Sequence, residues 1–184
     1  MSSLSGRTAI FSGGSRGIGL AIARELAGAG ANIALIAKTD TPHPDLPGTI
    51  HTAADELREL GAEVLPIVGD IRDEEVVAAA VATTAERFGG IDLCVNNASA
   101  LNLSPIGELP VKRFDLMQQV NVRGTFVLTS ACLPYLRASD HAHVLTLSPP
   151  LNLDPQWMAP SAYTISKYGM TIVTLGVAQL LQFR

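Results

Sequence analysis

Five short apolar runs, each separated from the next by a stretch of helical periodicity, hold this chain to one kind of architecture. Thr8–Ser12 reads as a strand, and Gly17–Gly28 as a helix with Ile18, Ala21, Ile22 and Leu26 on one face. Asn32–Ala37 is a second strand, and a polar, proline-broken loop follows over 39–48. A helix over 50–60 is stopped by Gly61, and Val64–Val68 is a third strand. A helix over 73–88 ends at Gly89-Gly90, a fourth strand covers 91–96, and a long helix covers 111–135. A fifth strand spans 144–148 and a closing helix 161–183. The strands are apolar along their whole length, so both faces must be covered, which favours a parallel sheet between two helical layers. With 184 residues, 47% of them hydrophobic, the chain makes one domain with a substantial core and is not disordered.

The turn after the first strand carries the clearest chemistry. Ser12-Gly-Gly-Ser-Arg-Gly-Ile-Gly19 sets Gly13, Gly17 and Gly19 between a strand and a helix. A tight turn needs positive backbone angles, close approach to a phosphate needs no Cβ, and a helix N-terminus offers free amides. Gly13, Ser15, Arg16, Gly17, Ile18 and Gly19 are therefore candidate dinucleotide-binding residues, and the predicted fold is an α/β, Rossmann-type doubly wound parallel sheet. A fold selecting NAD places a carboxylate at the end of the second strand for the ribose hydroxyls. Ala37-Lys38 stands there instead, with Arg16 in the turn, so NADP(H) is expected over NAD(H); Asp40 is the one acid near enough to reverse this.

Tyr163 and Lys167 are four residues apart, on one face of the closing helix. A free phenol titrates near ~10, and a neighbouring ammonium favours its ionised form. Such a tyrosine can pass a proton to or from an alcohol oxygen while a nicotinamide exchanges hydride. An isolated pair of this kind is usually ordinary helix surface; the glycine turn is what turns it into a candidate site.

Gly13-x-x-x-Gly17-x-Gly19, Asn96-Asn-Ala98, Asn121 and Tyr163-x-x-x-Lys167, in that order, resemble the short-chain dehydrogenase/reductase family over nearly the whole chain. Ala37-Lys-Thr39 with Pro42-His-Pro44, Asn97-Ala-Ser99 and Leu147-Ser-Pro-Pro150 are similar to its hydroxysteroid-dehydrogenase-like group. The resemblance implies that Asp70 and the Ile71 backbone meet the adenine, and that Asn97 and Ala98 line its ribose. It implies that Asn121 places a proton-relaying water behind Lys167, although a buried amide or a helix cap would account for Asn121 and Asp70 as well. Ser12 and Ser99 depart mildly from the family pattern. At the end of the fifth strand Pro149 stands where a substrate-orienting serine is usual, so either Ser148 takes that role or the contact is missing or supplied elsewhere. Family members run longer, so the resemblance also implies that two further strands and the substrate-closing segment lie outside residues 1–184. A homo-oligomer built on the two long helices is implied on the same ground.

Other features carry less. The net charge is −4 with 13 basic residues spread thinly, which excludes nucleic acid as a partner. Cys94 and Cys132 sit in apolar runs and read as reduced core thiols. His141 and His143 lack further ligands, so no metal is expected. No basic region followed by an apolar run opens the chain, and the apolar stretch over 170–181 is too short to span a bilayer, so a cytoplasmic location is expected. Leu151, Leu153, Trp157 and Met158 are candidates for an apolar substrate wall. The expected activity is NADP(H)-dependent interconversion of an alcohol and a ketone or aldehyde on an apolar small molecule. The alternative is an NADPH-binding scaffold or redox sensor that turns over little.

Overall fold

The computed structural model describes residues 4–42 and 48–182. Its five strands, β1 (Thr8–Ser12), β2 (Asn32–Ala37), β3 (Val64–Val68), β4 (Leu93–Asn96) and β5 (His143–Thr146), form one parallel sheet in the order β3-β2-β1-β4-β5. The chain runs outward from β1 to β3, then crosses back to β4, so the strand order reverses between β1 and β4. A ligand crevice belongs above that reversal in a doubly wound sheet.

Two layers cover the sheet, as continuous apolar strands require. Ala9, Phe11, Ile33 and Leu35 face α1 (Gly17–Gly28) and α2 (Ile50–Glu59). Ile10, Ala34, Ile36 and Cys94 face α3 (Glu74–Phe88) and α5 (Gly124–Ala138). Alternate residues of one strand thus serve opposite layers. Cys94 and Cys132 are both buried and free; the neighbouring Cys94 sulfur and burial push the Cys132 thiol up.

Local signals account for most boundaries. Thr49 and Thr52 form a reciprocal capping box at the start of α2. Asp73 caps α3 through the amides of Glu75 and Val76, so it precedes the helix it was expected to begin. Gly89, at φ +83°, ends that helix in the left-handed region.

Three expected boundaries shift. The fourth strand starts at Leu93 rather than 91, because Asp92 turns its carboxylate back onto the Thr8 amide at 2.9 Å and the Ser139 hydroxyl at 2.6 Å. The fifth runs 143–146, because the Ser148 amide folds back to Thr146 O at 2.9 Å. The long helix expected over 111–135 runs to Ala138 and is not uniform: α4 (Val111–Met117) passes into a six-residue π-helical segment, Gln118–Arg123, before α5. A short 3₁₀ turn, Pro155–Trp157, precedes α6 (Ser161–Gln182). The expected features at His43, Pro44 and Phe183, and at residues 1–3, lie outside the described residues.

Candidate active site

Strand register brings the site together. Ser12 pairs with Ile36 on one side and Asn96 on the other, Ala37 with Val68, and Asn96 with Thr146. The segments after all five strands therefore emerge at one level, around a cleft of about 840 Å³. Gly13, Lys38, Asp70, Asn97, Ser148 and Tyr163, one from beyond each strand and one from α6, all line it.

The three motif glycines answer different demands. Gly13 has φ +74°, and a Cβ there would stand 3.0 Å from Ala98 Cα. Gly17 has φ +56° with open space where a Cβ would point, as a turn exposed to a ligand requires. A Cβ on Gly19 would overlap the Gly13 carbonyl and the Asn97 amide. Ser12 Oγ accepts from the amides of Asn97 and Ala98, both at 3.2 Å, and Asn97 Nδ2 donates to Gly13 O. Asn97 thus lines the cleft while its side chain braces the glycine turn. No side chain among the described residues caps α1, and Ile18 is exposed at its first turn, so the helix presents unspent amides to the cleft.

At the outer end, Arg16 Nη2 donates to Gly48 O at 3.4 Å, and Arg16 Nη1 is buried with no hydrogen-bond partner among the described residues. A buried guanidinium nitrogen with donors to spare, beside free helix amides, fits the phosphates of a dinucleotide. Ser15 is buried within the same turn, and Ile71, beyond β3, is buried against Gly124 of α5. Lys38 Nζ lies 3.1 Å from Asp70 Oδ2. Asp70 also takes Arg72 through its side chain and its backbone amide, and this pairing holds the carboxyl well below the usual carboxylate range. Its oxygens are already engaged where an adenine contact was expected.

At the inner end, Lys167 is buried, its Nζ 5.9 Å from the Tyr163 ring centroid and 2.7 Å from Leu147 O. Burial lowers its affinity for a proton from the ordinary lysine value. Ser148 is half-buried on the cleft wall, its hydroxyl 2.7 Å from Thr171 Oγ1. Asn121 is fully buried in the π-helical segment. Its Oδ1 accepts from the Ala100 amide at 2.7 Å, and its Nδ2 donates to Ala100 O at 3.0 Å and Ser166 Oγ at 2.9 Å. Ser166 in turn donates to Tyr163 O at 2.8 Å. Asn121 therefore ties the segment after β4 to the turn of α6 that carries Tyr163; both its amide donors are spent there rather than on Lys167.

Some residues fall elsewhere than expected. Trp157, Leu151 and Leu153 stand exposed, and neither they nor Met158 line the cleft, whose apolar wall is Leu101, Leu116, Val120, Leu147 and Pro149. Among the described residues no group of three His, Cys, Asp or Glu side chains could hold a metal, and no helix is long and apolar enough to cross a membrane. Arg72, Ser166 and Thr171 were not legible in the sequence, because each acts through a partner 2 to 45 residues away that only the fold or a local turn supplies.

A reversal of strand order, a glycine turn feeding a helix, and a tyrosine beside a buried lysine at the inner end of one cleft are the features of a Rossmann-type fold with a candidate active site. The chain belongs to the short-chain dehydrogenase/reductase family: the sequence profile described as short chain dehydrogenase matches residues 7–183. Hydroxysteroid dehydrogenase-like protein 2 from Bos taurus is 53% identical over 177 residues, and that from Homo sapiens 52%, each alignment covering 96% of this chain and 42% of the relative. A short chain dehydrogenase from Mycobacterium thermoresistibile superposes with a TM-score of 0.95 at 59% identity, over 98% of this chain and 64% of that one. An NAD+-bound xylitol dehydrogenase superposes with a TM-score of 0.85 at 26% identity, over 97% of this chain and 66% of that one. This chain thus spans less than half the length of those curated relatives.

Proposed function

We propose that the protein is an NADP(H)-dependent oxidoreductase that interconverts an alcohol and a ketone or aldehyde on an apolar small molecule. The observation that carries the reading is the placement of Tyr163 and buried Lys167 side by side at the inner end of a dinucleotide-sized cleft. When bound, the nicotinamide supplies or accepts a hydride. Tyr163 transfers the proton at the substrate oxygen, and the Lys167 ammonium stabilises the negative charge that develops on the phenol. Ser148, which lines the cleft and is hydrogen-bonded to Thr171 on α6, orients the substrate oxygen. Asn121 and Ser166 keep the Tyr163 turn in place. At the outer end the glycine turn and the α1 amides hold the diphosphate, while Arg16 and Lys38 favour a 2′-phosphate.

The apolar wall supports a lipid, steroid or terpenoid-like carbonyl over a sugar, in line with the names of the hydroxysteroid dehydrogenase-like relatives. The two-helix surface supports assembly with a second copy: Phe126 on α5 and Ile165, Ile172 and Leu175 on α6 are large and exposed. The test is consumption of NADPH by the full-length protein over a panel of apolar ketones and aldehydes, with Y163F beside the wild type. Turnover that disappears in Y163F supports the reading. Tight NADPH binding with no turnover on any member of the panel would favour a binding protein.

A further inference from the structure

Where β2 and β3 end, two cations share one carboxylate. Asp70 Oδ2 accepts from Arg72 Nη2 at 2.6 Å and lies 3.1 Å from Lys38 Nζ. Arg72 Nε stands 3.0 Å from both Asp70 oxygens, and the Arg72 backbone amide donates to Oδ1 at 3.0 Å. A carboxylate has about four lone-pair sites, so Asp70 is filled by these partners. They are held very differently. Arg72 is half-buried and forked onto Asp70, and its carbonyl accepts from Arg123 Nη1 at 2.6 Å. Arg123 is itself anchored on Glu74 Oε2 at 3.2 Å. Lys38 reaches Asp70 through a single contact from a side chain that is 63% exposed. A solvated point charge on a flexible stem exchanges one anion for another readily, whereas a planar fork fixed at both ends does not.

We infer that Arg72 is a positioning residue for cofactor selection, holding Asp70 neutralised so that Lys38 is free to turn to a 2′-phosphate. The inference rests on the NADP(H) reading above and deepens it. Without Arg72, Asp70 would keep Lys38 for itself and would repel the phosphate besides. With Arg72 in place, Arg16, Lys38, Arg72 and Asp70 carry two net positive charges around the same end of the cleft, matched to a phosphate ester of about −1.5 to −2. Arg72 acts through Asp70 and need not touch the cofactor.

The experiment is titration of the full-length protein with NADPH and with NADH, followed by the fluorescence of the reduced nicotinamide, for wild type, R72Q, R72K, D70N and D70N/R72Q. R72Q is expected to raise the Kd for NADPH about fivefold or more while leaving that for NADH within about twofold. The NADH titration shows that the variant is folded. R72K keeps the charge without the fork and shifts the ratio less, in the same direction. The decisive variant is D70N/R72Q: with the competing carboxylate gone, the NADPH-to-NADH ratio returns to that of D70N. An unchanged ratio in R72Q overturns the inference. A loss that persists in D70N/R72Q overturns it too, because Arg72 would then act on the phosphate directly. Wild type binding NADH more tightly than NADPH would sink the cofactor reading, and the R72Q ratio would still judge the part played by Arg72.

Discussion

Lys167 Nζ donates to the Leu147 carbonyl at 2.7 Å, so the buried ammonium of α6 ties that helix to the segment leaving β5. This contact orients the charge toward the Tyr163 ring, while its burial costs the fold solvation that water would otherwise supply. Activity and stability therefore pull on this residue in opposite directions.

Replacing Lys167 by Met should separate the two. Turnover should fall by about 10²-fold or more, since the developing phenolate loses its counter-charge. The pH dependence of stability should change as well. Burial holds the folded-state pKa below the ordinary 10.5, so between that depressed value and 10.5 the unfolded chain binds more protons than the folded one. Wild-type stability then rises with pH through this window relative to K167M. Melting curves from pH 7 to 11 should show the difference Tm(K167M) minus Tm(wild type) shrinking as pH increases.

Tyr163→Phe removes only an oxygen from a half-buried ring. We expect kcat to fall by about 10³-fold, with the Kd for the dinucleotide changed by less than about twofold. Single-turnover kinetics alongside equilibrium titration separate these quantities, and a Phe variant with normal kcat would refute the assignment.

Gly19 and Gly17 should respond differently to alanine. At Gly19 the new methyl overlaps the Gly13 carbonyl and the Asn97 amide, which are main-chain and braced atoms that cannot give way. At Gly17 nothing lies within 4 Å, and the cost is the φ of +56° alone. Denaturant unfolding should show G17A destabilised by about 1 kcal/mol and G19A by about 2 kcal/mol or more. Dinucleotide binding should be lost in G19A.

Asp92 governs an acid limb of stability. Burial alone would raise its pKa, but hydrogen bonds from the Ser139 hydroxyl and Thr8 amide, with Arg7 at 3.2 Å, hold it below the ordinary 3.8. A depressed carboxyl contributes stability that is complete above 3.8 and is lost as pH falls through the folded value. Wild type should therefore lose stability more steeply than D92N below about pH 4. D92N should be the less stable of the two at pH 7 by about 1 kcal/mol, the cost of the weakened donors. An identical acid slope in the two proteins would refute the assignment.

Asn121→Leu leaves the Ala100 amide and carbonyl and the Ser166 hydroxyl without their partner in a buried setting. A loss of about 3 kcal/mol is expected, from several unmet polar groups. Asn121→Asp, which keeps the acceptor for the Ala100 amide, should retain more stability than the leucine variant.

Much of this molecule could be read before it was folded. Unbroken apolar strands required two covering layers, and the glycine turn and the Tyr163–Lys167 interval set both ends of the cleft. Boundaries moved where side chains act across the chain: Asp92 gives up strand geometry to cap Thr8 and Ser139, and Ser148 turns away from the sheet toward Thr171. The π-helical segment has no periodic signature of its own, and one extra residue in a helical turn was invisible until Asn121 was seen reaching Ala100 and Ser166.

Local rules thus determined the element types, the parallel sheet and the candidate Tyr163–Lys167 pair, because periodicity, capping and glycine geometry act within a few residues of sequence. Tertiary structure alone decided which polar groups are already spoken for. It filled Asp70 with Arg72 and Lys38, committed Asn97 to the glycine turn, and placed the apolar wall on Leu101, Leu116 and Val120 rather than on Trp157. A hydrogen-bonding group has few lone pairs and donors, and which neighbour claims them depends on segments far apart in the chain.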